Sequence, residues 1–130
     1  MNILLLLLWL LYPIIEAVGQ RLTYFKDLNK VTRPNYLQLW VIRGIFAILH
    51  GALLGAQPEP WYEWPALLCF QMGTFYLIFN PLLNKLRKLP WDYEGKNSGW
   101  LSFINGKAKI PISLALIIIY FVIEYSSLYL

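Results

Sequence analysis

The chain has 130 residues, of which 58% are apolar, 17% aromatic and 14% charged. Soluble domains carry about 25% charged residues, so this composition, with a mean hydropathy of +0.51, excludes an ordinary water-facing surface and leaves room for one small bundle and no second domain. The net charge of +4 does not point to nucleic acid, because the basic residues flank long apolar runs, where they orient a membrane segment and meet anionic lipid headgroups.

The first apolar run, Ile3 to Gly19, predicts a spanning helix with Pro13 as a possible kink. Its leucine-rich start resembles the core of a signal peptide, with Ala17, Val18 and Gly19 where a cleavage site would fall. However, Lys and Arg follow this run and do not precede it, which marks a span with its N-terminus outside. Residues 20–35 read as an inner basic loop with Arg21, Lys26, Lys30 and Arg33, and with Tyr24, Phe25 and Leu28 on the headgroup layer.

Tyr36 to Ala56 predicts the second span. Residues 57–64 form a short outer turn with only Glu59 and Glu63 charged, where prolines stop the helices and Trp61, Tyr62 and Trp64 make an interfacial aromatic belt. Pro65 to Leu83 is the third span. Residues 84–109 form the longest loop, inner and interfacial, with Lys85, Arg87, Lys88, Trp91 and Trp100 as candidate lipid-headgroup contacts. Ile110 to Leu130 is the fourth span. Every basic residue except Arg43 thus falls in the two inner loops. The expected fold is all-α: a polytopic integral membrane protein, a bundle of four transmembrane helices with both termini outside. A bacterial inner membrane fits helices with this charge bias.

Ionisable groups inside spans are costly, about 2.5 to 3.5 kcal/mol each on insertion scales. Arg43 lies seven residues into its span, roughly 10 Å from the inner face. Glu16 and Asn80 share that level, so Glu16 and Arg43 are a candidate ion pair with Asn80 as a third partner. His50 and Glu124 each lie fourteen residues from the inner face, roughly 21 Å up, and Gln71 comes close to the same depth; these three form a candidate outer cluster. Arg43 and His50 are seven apart and share a helix face. Gly44, Ala47, Gly51, Gly55 and Gly73 are candidate close-packing positions.

Sequence motifs for chemistry are missing. One His, His50, and one Cys, Cys69, cannot cluster around a metal. HExxH, CxxC, GxSxG, P-loop and GxGxxG patterns do not occur. Asp92 and Glu94 read as a solvated pair among lysines. The stretch Phe79-Asn80-Pro81-Leu82-Leu83-Asn84, followed by Trp91-Asp92-Tyr93-Glu94-Gly95-Lys96-Asn97-Ser98, resembles segments of small membrane proteins of bacteria and their phages; that resemblance implies no activity. The expected function is non-enzymatic and without cofactor. The chain acts through helix packing, as a homo-oligomer or as a subunit of a larger membrane complex, with the lipid bilayer and itself or another membrane protein as partners. The alternative is a pore or phage-type permeabilising protein using His50 and Glu124, and the third is a lipid-modifying enzyme.

Overall fold

The computed structural model describes residues 3–25, 35–56, 61–93 and 106–129. All regular structure among them is helical: α1 (Ile3–Leu8), α2 (Leu11–Thr23), α3 (Tyr36–Leu53), α4 (Glu63–Leu86) and α5 (Gly106–Tyr129). The pair α1 and α2 make one stretch, Ile3–Thr23, so four helical stretches are long and apolar enough to cross a membrane.

Pro13 explains the break in the first stretch. It has no N–H to give to Trp9 O, four residues back. That carbonyl instead takes Tyr12 N at 3.0 Å, and Trp9 N and Leu10 N turn to Leu6 O and Leu7 O, each three residues back. The chain tightens locally into 3₁₀ geometry just ahead of the proline.

Five boundaries differ from the sequence reading. The first helix runs through Gly19 to Thr23, so Arg21 is helical and not in a loop. α3 ends at Leu53 because Gly55 adopts φ +76°. Its neighbours complete a Schellman cap: Ala56 N bonds Gly51 O and Gly55 N bonds Ala52 O, both at 3.0 Å. α4 begins at Glu63, because Pro65 sits in the first turn, where no N–H is needed. It also passes Pro81 and ends at Leu86. α5 starts at Gly106, with Pro111 inside it.

The end of α4 repeats the cap of α3 with an unexpected residue. Lys88 has φ 61°, Lys88 N bonds Lys85 O at 3.0 Å, and Leu89 N bonds Asn84 O at 2.9 Å. A lysine in this left-handed conformation costs about 1–2 kcal/mol. The Asn84 side chain helps hold it, donating to Trp91 O at 3.0 Å and Tyr93 O at 2.9 Å.

α4 is the hub. It packs most extensively on α5, then on α2, and only lightly on α3. Near the α3–α4 turn the core is Leu6, Trp9, Ala66, Leu67, Phe70 and Tyr120. Toward the other end it is Ala17, Phe25, Phe75, Phe79 and Leu83, and Tyr12 packs on both layers. Outward-facing Leu4, Leu37, Ile48 and Ile118 are all exposed. An apolar girth of this kind is uncommon on soluble monomers.

Candidate functional site

The polar side chains inside the apolar stretches are joined at two levels. At the lower level Arg43 Nε donates to both oxygens of Glu16, at 3.0 and 3.2 Å. Tyr12, one turn before Glu16 on the same face, donates its hydroxyl to Oε1 at 3.1 Å. The pair is well covered, with side-chain exposures of 15% for Arg43 and 9% for Glu16. Aromatic rings cover the guanidinium: its Cζ lies 4.7 Å from the Phe75 centroid, 5.2 Å from Phe79 and 5.3 Å from Trp40. Such contacts strengthen when water is excluded.

Asn80 is not the third partner; Tyr12 is. Asn80 follows Gly73 by seven residues and so shares its face of α4. That face meets α5, since a Cβ on Gly73 would stand 2.7 Å from Ser113 O. The Arg43 side of α4 carries Gln71, Phe75 and Phe79, spaced by four. Tyr12 was missed because a tyrosine in an apolar run reads as packing; its i,i+4 spacing to Glu16 was the available signal.

At the upper level three helices meet through His50 and Gln71. Gln71 Nε2 lies 3.0 Å from Ala47 O and 2.9 Å from His50 Nδ1. His50 Nε2 lies 2.9 Å from Leu5 O. Trp9 Nε1 donates to Gln71 O at 3.0 Å, and its ring stands 5.4 Å from that of His50. The Gln71 amide must present its NH₂ to Ala47 O, since the opposite flip would oppose two oxygens. Nδ1 therefore accepts and Nε2 carries the proton.

Glu124 does not join this cluster. It lies on α5, whose backbone comes close to that of α4 and of no other helix among the described residues, while the hydrogen bonds of His50 and Gln71 go to Leu5, Ala47, Trp9 and each other. The Glu63 carboxylate, at the start of α4, lies close enough to repel that of Glu124. Equal depth did not bring Glu124 and His50 together, because depth along an axis says nothing about which helices are neighbours.

The small residues divide as well. Gly51 and Gly73 are close-approach positions, filled by Trp64 and Leu67 and by Ser113 and Ile117 respectively. Gly55 is a helix cap, not a packing position. Nothing lies within 4 Å of where a Cβ on Gly44 would sit. Gly44 and Ala47 instead line a cleft between α3 and α4 of about 240 Å³.

At the far end of α2 and α4 the basic residues do different things. Lys85, Lys88 and Trp91 are exposed. Arg87 is not a plain headgroup contact: its Cζ sits 4.0 Å above the Phe25 ring and its Nε is buried. Phe25 is itself buried and does not lie out on a headgroup layer. Arg21 ties the two helices, donating from Nε to Leu86 O at 2.9 Å and from a terminal nitrogen to Phe25 O. Trp100, Glu94 and the proline turn at 57–60 fall outside the described residues.

Among the described residues no group of three His, Cys, Asp or Glu side chains could hold a metal ion. The arrangement defines a class: an all-helical bundle with four helices of membrane-crossing length, tied through its apolar interior by an ion pair and a His–Gln hydrogen-bond cluster. Family models, characterised proteins and solved structures offer no match to this chain.

Proposed function

We infer that this chain is a polytopic integral membrane protein without catalytic activity, acting as a packing subunit of a membrane assembly, with copies of itself or with another membrane protein. The observation that carries this reading is the position of α5. Among the described helices its backbone comes close only to that of α4, and only 11% of its apolar window is buried, against 50% for α4. The outward stripe Ile112, Ala115, Ile119 and Val122 is exposed at alternating spacings of three and four, the seam that membrane helices pack along. The polar groups of the interior support the same reading. Those of Glu16, Arg43, His50 and Gln71 hold helices to one another and do not form a file across the bundle.

This reading puts the basic segments that follow α2 and α4 inside and both termini outside, in a bacterial inner membrane; the support for it is the positive-inside bias of the sequence. Lys85 and Lys88 meet anionic headgroups there.

The test is crosslinking through single cysteines at Ala115, Ile119 or Val41 in a Cys69→Ser background, with mass measurement in mild detergent. Expected is a discrete multimer or a co-purifying partner, captured through Ala115→Cys and Ile119→Cys more than through Val41→Cys. A lone monomer that crosslinks at none of these positions would overturn the proposal. A ring with a central opening would favour a pore instead.

A further inference from the structure

Two buried side-chain nitrogens among the described residues lack an acceptor, Gln20 Nε2 and Arg87 Nε. Both belong to the end of the bundle where α2 and α4 finish, so this is where polar groups are left unanswered. Basic residues gather at the same end: Arg21 on α2, with Lys85, Arg87 and Lys88 at the close of α4.

The two arginines have different tasks. Arg21 is a brace: Nε donates to Leu86 O at 2.9 Å and a terminal nitrogen donates to Phe25 O. It thereby fixes the residue before Arg87 and the residue whose ring lies beneath it. Phe25 is buried, and Arg87 Cζ stands 4.0 Å from its centroid, so the guanidinium rests on an immobile platform. Arg87 N is bonded to Leu83 O at 2.9 Å, which holds the backbone as well. No carboxylate among the described residues pairs with Arg87 or with the exposed Lys88. The terminal nitrogens of Arg87 carry no hydrogen bond there and, unlike Nε, are not buried. They reach the surface as a planar fork whose position is set before any ligand arrives.

Three features select the ligand. A guanidinium fork matches the oxygens of a phosphate two at a time. The surplus of positive charge at Arg87 and Lys88, with Asp92 the acidic residue of the same turn, favours an anion. The third feature is place. Arg87 is the first residue past α4, and Trp91 and Tyr93 lie exposed just beyond it, their carbonyls held by the Asn84 side chain at 3.0 and 2.9 Å. Such rings border the headgroup layer of a bilayer, so the phosphate within reach is a lipid's.

We propose that Arg87 anchors a single, pre-organised site for the phosphate of an anionic phospholipid. This goes beyond the diffuse attraction of surface lysines for a charged membrane, and it rests on the chain being embedded in one.

The test is native mass spectrometry of the full chain in mild detergent, titrated with phosphatidylglycerol or phosphatidylcholine. Expected is a plateau at one phosphatidylglycerol per chain, bound at least about ten-fold (1.4 kcal/mol) more tightly than phosphatidylcholine. Two variants separate a built site from net charge. Arg87→Lys keeps the charge and loses the fork. Lys85→Gln loses a charge two residues away, on another face of the helix. Arg87→Lys should weaken binding more than Lys85→Gln; the opposite order overturns the proposal. Circular dichroism in the same detergent checks that both variants keep their helical content. The wild-type titration decides the matter even if a variant unfolds: adducts that accumulate without a plateau, or no preference for phosphatidylglycerol, overturn the proposal. An excess of inorganic phosphate should not displace the lipid; displacement would assign the site to a free anion and overturn it too. If the membrane reading itself fails, the chain will stay soluble and monodisperse without detergent. Failure of the lipid site alone leaves a detergent-requiring protein with no preferred adduct.

Discussion

Gln71 and His50 orient each other. The Gln71 amide nitrogen is 2.9 Å from His50 Nδ1 and 3.0 Å from Ala47 O, so a single NH₂ group answers both a ring nitrogen and a backbone carbonyl. With Leu5 O at 2.9 Å from Nε2, the ring is held between α1 and α4 as the Nε2–H tautomer. Nitrogen NMR of ¹⁵N-histidine-labelled protein should show Nε2 protonated and Nδ1 bare. A ring protonated at Nδ1 would contradict this geometry.

The Glu16–Arg43 pair should behave as a unit. Removing one member of a buried pair costs about 3–5 kcal/mol, because the other is left charged and alone. Arg43→Leu and Glu16→Leu should each lower unfolding stability by that order. The double variant should lose less than the sum, with a coupling of about 0.5–3 kcal/mol. Strict additivity in the cycle would show that the two side chains do not depend on each other. Tyr12→Phe should cost less, about 1.5–3 kcal/mol for one hydrogen bond to a charged group.

The helix count and the shared level of Glu16 and Arg43 were readable from the chain because both depend on distance along an axis. Apolar run length sets the count, and residue number sets the depth. The neighbours of each helix were not readable. Nothing in the spacing of Glu124 says that α5 packs on α4 and not beside α3, and nothing in Asn80 says that its face belongs to α5. A boundary slipped where a proline was read as a stop: Pro65 lies within α4. Gly55 has small-residue spacing from Gly51, yet φ +76° makes it a cap. The turn at Trp9–Leu10 follows from the missing N–H of Pro13, four residues downstream, a signal that was present and read only as a possible kink.

The two kinds of glycine predict opposite responses. An alanine Cβ at Gly73 would stand 2.7 Å from the backbone oxygen of Ser113 and 2.9 Å from Ile117 Cγ1. Gly73→Ala should therefore force α4 and α5 apart and cost about 1–3 kcal/mol, the range for overpacking. Gly44→Ala meets nothing and should gain up to about 1 kcal/mol from helix propensity. Thermal unfolding in detergent measures both. Equal destabilisation would mean that Gly44 is not open.

The proposed orientation has a direct check. Cysteines at Asn2 and Asn97, in a Cys69→Ser background, should differ in intact cells toward a membrane-impermeant thiol reagent: Asn2→Cys labels and Asn97→Cys does not. The reverse pattern would turn the protein over in its membrane.

Permeability separates the packing reading from a pore. A proton path through His50 would need a neighbour able to exchange protons with it. The partners of His50 are instead a backbone carbonyl and a carboxamide, neither of which titrates in the physiological range. Glu124, the carboxylate at matching depth, lies on α5, which approaches α4 and not α3 among the described helices. Liposomes containing the wild-type protein should hold a pH gradient as well as empty ones. His50→Leu leaves the Gln71 amide and Leu5 O without their shared partner, so it should lower thermal stability by about 1–3 kcal/mol without changing that tightness. Glu124→Gln should change neither to the same degree. A sustained wild-type proton current that disappears in Glu124→Gln would require α5 to reach His50 in some other arrangement, and would replace the packing reading with a conducting one.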